Sequence, residues 1–389
     1  MKPCLTLRLT LVNLVLGGIL EVVSAEVVAP PGDEVARLAL DAQYEKYLSA
    51  GGFPIVASAG VEDEALLEAA FLIGKMIGHR PDILKALREN KVRLSIMATD
   101  ELTTDIPEHA TLKPKVYWDR RARGLGASKE RPAVSVGEEN LLALEGDPYS
   151  TESIMVHEFA HAIHLMGVNS IDDSFQTRLE QTFNRASLKG LWKSKYAGTN
   201  PSEYWAEGVQ SWFDTNREND HDHNHVNTRE ELLEHDPGLA ALVESIFGDS
   251  PWRYRNPKLR KEPGHLASLD RAAAPVFAWP PDLEAAYDAL QSGEDRKQLE
   301  MKPGKAPEGS VSGKSAGAVQ LRFDNHTEET VRIFWIDFVG ERKAFGSIDP
   351  GRNHDQSTFS EHLWVLVGEG GDDLGWIAAP EEDGLVNVR

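Results

Sequence analysis

The sequence predicts an α+β domain, mostly helical in its second half, followed by a small all-β sandwich. Three observations predict it. Between Asp33 and about Ser150, helix-spaced apolar residues alternate with short strand-like runs. From Thr151 to about Arg255 the pattern is helical, and beyond residue 318 only short alternating segments occur. At 389 residues the chain is long enough for two or three domains with real cores.

Taken in order, Asp33–Leu48 carries Val35, Leu38, Ala39, Ala42, Tyr44 and Leu48 at helical spacing. Phe53–Ala57 reads as a strand and Asp63–Ile77 as a helix; Pro81 suits the first position of another helix, running through Leu87. Val92–Ala98 reads as a strand. Ala133–Val136 reads as a shorter one just ahead of a histidine-bearing helix, where it would wall a cleft. Within the helical stretch, Thr228-Arg-Glu-Glu231 is a capping box. A helix around Asp282–Gln291 closes a first domain spanning 26–294. Residues 295–318 are rich in Gly, Pro, Ser and Lys without hydrophobic periodicity and read as a linker. Val319–Phe323, Val331–Phe338, His362–Val367 and Gly375–Ala378, with turns such as Asp349-Pro-Gly-Arg, then make the sandwich over 319–389.

Lys2 and Arg8 lead into an apolar run from Leu9 to Leu20, and Val23-Ser24-Ala25 is a small-residue cleavage site. Residues 1–25 therefore read as a signal peptide cleaved after Ala25. The run is too short to span a bilayer comfortably, which makes a membrane anchor the weaker reading. A secreted or periplasmic product with no transmembrane segment is expected. The only cysteine, Cys4, lies in that leader, so a disulfide is excluded and any metal site must be built from His and carboxylate. A formal net charge of −21 repels nucleic acid and anionic lipid, so no nucleic-acid partner is expected. The same surplus serves plain solubility at least as readily as it favours cationic partners.

The chemistry is concentrated in Ser153–Gly167, SIMVHEFAHAIHLMG, which contains H-E-x-x-H. On a helix His157 and His161 lie one turn apart on one face, with Glu158 placed to act as a base beside a metal-activated water. Ile154, Met155, Val156, Phe159, Ala160 and Ile163 make this helix apolar, and two His and a Glu would be costly there without a task. A metzincin-type third ligand is excluded: the positions that need Gly and then His hold His164 and Gly167. His164 lies a full turn beyond His161 and reads as a cleft-lining or hydrogen-bonded core histidine. Catalytic zinc takes three protein ligands and keeps one position open, so a carboxylate on a following helix is required. Asn200-Pro-Ser-Glu-Tyr-Trp-Ala-Glu207 supplies Glu203 as ligand and Glu207 as the partner that fixes a histidine's orientation. The competing reading is an exposed helix carrying two glutamates for solubility. His221-Asp-His-Asn-His225 could hold a second metal, but a solvated loop is favoured.

HEFAH followed by Y-A-G-T-N-P-S-E-Y-W-A-E at Tyr196–Glu207 resembles the catalytic domain of anthrax lethal factor and the related Pro-Pro endopeptidases. The resemblance implies a zincin-like metallopeptidase domain with one Zn2+ held by His157, His161 and Glu203. It also implies that Tyr196 reaches the substrate carbonyl, and that Glu158 activates a zinc-bound water and passes its proton to the leaving amine. The family's preference for proline near the cut bond makes a proline-rich protein or peptide the expected substrate.

A second resemblance covers roughly Val319 to the C-terminus. Leu321-Arg-Phe-Asp-Asn-His-Thr, Trp335, Asp349-Pro-Gly and His362-Leu-Trp364 come in the order of the von Hippel–Lindau β domain. That family binds 4-hydroxyproline. Carried over, Trp335, Phe345 and Trp364 enclose the ring, and Thr358 and His362 bind its hydroxyl. Phe345 stands where the family has tyrosine, and Thr358 replaces a serine but keeps the hydroxyl. A docking module for proline or hydroxyproline segments and an accessory β domain without a ligand are equally consistent with these residues. The combined expectation is an exported zinc metalloendopeptidase with a C-terminal recognition module. The alternatives are an inactive zinc-containing binding protein targeted by its β domain and a zinc hydrolase of non-peptide substrates.

Overall fold

The computed structural model describes residues 26–292, 296–314 and 317–389, so the leader read over 1–25 lies outside the described residues. No described helix is long and apolar enough to cross a membrane. The molecule mixes helix and sheet, with an all-β region at its C-terminal end.

The first half is organised around a five-stranded sheet ordered β1-β2-β3-β5-β4. Its strands are β1 (Lys46–Ala50), β2 (Phe53–Ala57), β3 (Arg93–Met97), β4 (Gly124–Leu125) and β5 (Ala133–Gly137). β2, β3 and β5 run parallel, and β1 and β4 are antiparallel to their neighbours. Strand alternation divides β2 between two cores. Phe53, Ile55 and Ala57 join the main core with Phe159, whose ring lies 5.3 Å from that of Phe53. Val56 packs on the other face with Leu38, Leu40, Tyr44 and Tyr47.

Helices α1 (Gly32–Leu38), α2 (Asp63–Ile77), α3 (Pro81–Glu89), α4 (Lys115–Arg121) and α5 (Glu138–Leu142) are interleaved with these strands. The helical stretch follows as α6 (Ile154–Ala162), α7 (Phe175–Leu188), α8 (Pro201–Trp212), α9 (Arg229–His235) and α10 (Pro237–Phe247), with α11 (Pro281–Ser292) after it. Thr228 caps α9 as expected, accepting from the Glu231 backbone while Glu231 accepts from that of Thr228.

The helix expected over Asp33–Leu48 stops at Leu38. Ala39 turns the chain at φ 51°, and Lys46–Ala50 forms the outer strand of a hairpin with β2. Non-local pairing outweighs the helical spacing here, because a strand buries Tyr47, Leu48 and Ala50 against the sheet. The cleft wall expected at Ala133–Val136 is one strand further out. β5 is interior to the sheet, and the edge beside α6 is β4, two residues long. It can lie that close because Gly124 and Gly126 lack side chains. A Cβ on Gly124 would stand 2.4 Å from Ile154 Cγ2, and one on Gly126 would stand 2.8 Å from His161 Cβ.

The C-terminal region is two facing sheets. β10 (Arg342–Ile348), β9 (Val331–Ile336), β12 (Leu363–Val367), β13 (Asp373–Ala378) and β7 (Lys302–Pro303) form one. The other is β11 (Asn353–Phe359), β8 (Ala318–Asn325), β14 (Gly384–Val388) and β6 (Lys297–Leu299). Val319, Leu321, Phe323, Ile333, Trp364, Leu366, Val386 and Val388 fill the space between them. The stretch read as a linker is therefore partly sheet. β6 pairs parallel with β14, β7 pairs with β13, and Leu363 donates to Ser312 Oγ at 2.9 Å. Edge pairing needs backbone groups and no hydrophobic period, so composition alone could not reveal it.

Beside the edge strand, Arg123 is fully buried and holds Glu139 through two bonds of 2.6 and 2.9 Å. It also donates to the Ala98 carbonyl at 3.1 Å and lies over the Phe277 ring. Removing one member of such a pair strands the other charge in the interior. Arg123→Met is expected to cost about 3–5 kcal/mol in chemical denaturation. Adding Glu139→Leu should recover much of that loss.

Candidate metal centre

Two helices build the site. Ser153 caps α6, accepting from the Val156 N–H at 3.4 Å, and the helix then places His157 and His161 on one face. Asn200 caps α8 with bonds from the N–H groups of Ser202 and Glu203 at 2.9 and 3.0 Å, and Pro201 opens it. The helices are tied where the buried Trp205 indole donates to the Ala160 carbonyl at 2.9 Å. Trp205, Val209 and Trp212 face the core, as their spacing requires.

His157 Nε2, His161 Nε2 and Glu203 Oε2 meet at one point. The two nitrogens are 3.2 Å apart, and the carboxylate oxygen is 3.2 Å from His157 and 3.4 Å from His161. Among the described residues this is the group that could hold a metal ion. Ligand bonds of about 2.0–2.1 Å in a tetrahedron imply ligand–ligand edges of about 3.3–3.4 Å, which these separations match. Burial by itself would raise the Glu203 carboxyl, yet the two histidines hold it well below the usual carboxylate range. Burial likewise disfavours the His157 imidazolium, but Glu203, Glu158 and Glu207 outweigh it and raise its pKa. His157 and Glu203 thus form a charge couple at the place a cation would occupy.

The orientation of His157 is set by a residue the sequence reading missed. Gln210 Oε1 lies 2.7 Å from His157 Nδ1, and its amide is fixed because Gln210 Nε2 donates to Glu152 Oε2 at 3.0 Å. An amide oxygen only accepts, so His157 carries a proton on Nδ1 and keeps Nε2 as the nitrogen that faces the centre. Arg217 extends the chain to Glu152 at 3.0 Å. Glu207, expected in this role, stands 3.6 Å from His157 Nδ1 and engages His223 at 3.3 Å and Asn216 at 3.0 Å. Gln210 falls on the same face of α8 as Glu203 and Glu207, a spacing visible in the sequence. Ser202, 3.0 Å from His161 Nδ1, performs the matching task for the other imidazole.

Glu158, Tyr196, Arg121, Arg123, Gly124, Arg217 and Asp222 line a cleft of about 350 Å3 with His157 at its floor. Burial raises the Glu158 carboxyl, in keeping with a proton acceptor. Burial and then Glu203 raise the Tyr196 phenol, which therefore stays protonated as a donor. The Tyr196 ring lies 6.3 Å from that of His157, and the Tyr196 backbone N–H donates to the Asp222 carbonyl at 2.8 Å.

His164 is a hydrogen-bonded core histidine, 2.7 Å from Gln176 Oε1, with burial lowering its pKa to about 4. The His221–His225 run is a loop, but only in part solvated. His221 is exposed, whereas His223 is buried between Glu207 and Asp220. The missed signal is Glu207, which needs a partner once it is buried.

The five residues expected to form a pocket in the β region also converge. Trp335 and Trp364 are cross-strand partners, Phe345 lies 6.1 and 5.0 Å from their rings, and His362 lies 5.0 Å from Trp335. Trp364 Nε1 donates to Thr358 Oγ1 at 3.0 Å, and Thr358 Oγ1 is 3.1 Å from His362 Nδ1. The indole only donates, so the threonine hydroxyl accepts from it and links it to the His362 imidazole. Among the described residues the buried Trp335 indole nitrogen has no hydrogen-bond partner.

Residues 311–381 match the family model described as the VHL beta domain, so the likeness read from the C-terminal residues is met. The match begins inside the stretch read as a linker, as the sheet pairing does. Among solved structures, the chain is similar to the Pro-Pro endopeptidase from Paenibacillus alvei, with 22% identity and a TM-score of 0.36. That similarity covers 50% of this chain and 97% of the other. No curated protein sequence matches the chain.

If Gln210 orients His157, Gln210→Leu should weaken binding of a divalent ion about 10–100-fold, with Zn2+ titration as the measurement. An unchanged affinity would remove Gln210 from the site.

Proposed function

We propose that the helical half is a zincin-like, gluzincin-type domain spanning about 26–294, and that the protein is an exported zinc-dependent endopeptidase. The observation that carries this reading is the meeting of two imidazole nitrogens and one carboxylate at tetrahedral spacing, with Glu158 beside them. When bound there, Zn2+ would supply Lewis acidity, polarising a carbonyl and acidifying water. His157, His161 and Glu203 would hold it, and the cysteine-free mature chain offers no softer ligand.

The chain's own groups then have defined tasks. Glu158 takes the proton of the attacking water and delivers it to the leaving amine, a shuttle helped by the burial that raises its pKa. The protonated Tyr196 donates to the carbonyl oxygen as negative charge builds on it. The unpaired edge of β4, kept free of side chains at Gly124, accepts an extended peptide by backbone pairing.

The β region is proposed as a docking module for proline or hydroxyproline segments of the substrate. The support is the meeting of the Trp335, Phe345 and Trp364 rings, the His362 imidazole beside the Thr358 hydroxyl and the unpartnered Trp335 N–H. Hydrogen-bonding groups set among aromatic rings suit a ligand with a hydroxyl or carbonyl acceptor. Attached to the protease, the module would raise the local substrate concentration.

Glu158→Gln is expected to retain one zinc per chain and to lose peptide turnover completely within detection, read by metal analysis and cleavage of a proline-flanked peptide library. Tyr196→Phe should lower kcat by about 10²–10³ with KM little changed. A chelator should abolish activity, and Zn2+ should restore it. If the Glu158 variant cleaves normally, the mechanism is wrong. Full-length Glu158→Gln protein should bind a hydroxyproline peptide at least about tenfold more tightly than its proline counterpart, a preference that His362→Ala removes. Binding of neither peptide would leave the β region as an accessory unit.

A further inference from the structure

The cleft contains three guanidinium groups with different circumstances. Arg123 is held inside by Glu139. Arg217 is bound by Glu152 at 3.0 Å and Asp220 at 3.5 Å. Arg121, the last residue of α4, is exposed and forms no ion pair among the described residues. Its neighbours are aromatic. The guanidinium carbon is 5.7 Å from the Tyr117 ring centre, and the Tyr196 phenol lies beside it. Its backbone is fixed, since the Tyr149 hydroxyl donates to the Arg121 carbonyl at 2.7 Å.

An unmatched cation is unusual in a chain with 62 acidic and 41 basic side chains. Of the carboxylates that share the cleft, Glu152 is engaged by Arg217 and Gln210 and Asp222 by His221 at 2.9 Å, while Glu158, whose carboxyl burial raises and Arg121 lowers through space, forms no ion pair with that arginine among the described residues. A planar guanidinium carries five N–H donors, so contact with the Tyr196 phenol leaves enough of them for a carboxylate in two-point geometry.

Resting on the peptidase reading above, we propose that Arg121 is the specificity-determining residue of the cleft and receives a carboxylate of the substrate close to the scissile bond. The carboxylate comes from an Asp or Glu side chain or from the free C-terminus of a short peptide. Because Arg121 shares the cleft with Glu158 and Tyr196, the acidic group sits within a few residues of the bond that is cut.

The test is a matched peptide panel with zinc-loaded protein. One member has Glu near the cut site and an amidated C-terminus, one has Gln there, one has Lys, and one neutral peptide has a free C-terminus. The parent should favour the Glu peptide over the Gln peptide by about 10–100-fold in kcat/KM, the range of a charge-assisted two-point bond. Arg121→Gln should bring that ratio close to one, Arg121→Lys should keep part of it, and Arg121→Glu should transfer the preference to the Lys peptide. A preference for the free C-terminus alone assigns the carboxylate to the chain end. Loss of rate on every peptide by the same factor in Arg121→Gln would overturn the proposal, because the residue would then act only by placing Tyr196. Affinity of the same panel for zinc-loaded Glu158→Gln protein, by fluorescence anisotropy, separates the two readings. Acid-selective binding without cleavage by the parent sinks the peptidase and keeps Arg121 as a carboxylate site. Cleavage by the parent without acid selectivity does the reverse.

Discussion

The site depends on how closely two helices approach. Glu203 can reach the imidazoles of α6 only because α8 lies against that helix, and the Trp205 bond to the Ala160 carbonyl fixes the approach. The indole serves as both spacer and tether: its ring fills the core between the helices while its N–H uses a carbonyl one residue before His161. The ligand atoms are therefore positioned by packing rather than by the metal they would hold. Such rigidity is what a site needs if it is to bind one ion in one geometry.

The layer behind the ligands is organised to the same end. A line of alternating charge and amide, Arg217–Glu152–Gln210–His157, runs from the cleft wall to the centre. Glu207 and His223 form a second buried pair, which brings the loop bearing Asp222 against α8 and so supports the Tyr196 backbone. Each group in these chains has a partner, as their burial demands.

How much of this was legible differs by element. α6 and Glu203 were readable because helical spacing turns sequence separation into a shared face, and burial of polar groups demands a purpose. α2, running over Asp63–Ile77, showed its ends through the same periodicity. The β1–β2 hairpin was hidden because Val35 to Leu48 fits a helix as well as a strand, and only pairing with Phe53–Ala57 decides. β4 was hidden because two residues beside glycines carry no pattern. β6 and β7 were hidden because they bond through their backbones inside a Gly- and Pro-rich stretch. In the β region, the aromatic residues were placed by resemblance, while the hydrogen-bonded line of Trp364, Thr358 and His362 needed coordinates.

If a peptide pairs along it, the short strand Gly124–Leu125 would also limit how the protein chooses among chains. A ribbon edge that pairs through amides and carbonyls senses direction and extension in whatever lies along it, and those backbone bonds are blind to the identity of each residue. Discrimination must then be lodged in the few protruding groups that frame the groove. A handful of substitutions there could redirect the protein to new sequences while its scaffold and chemistry stay as they are.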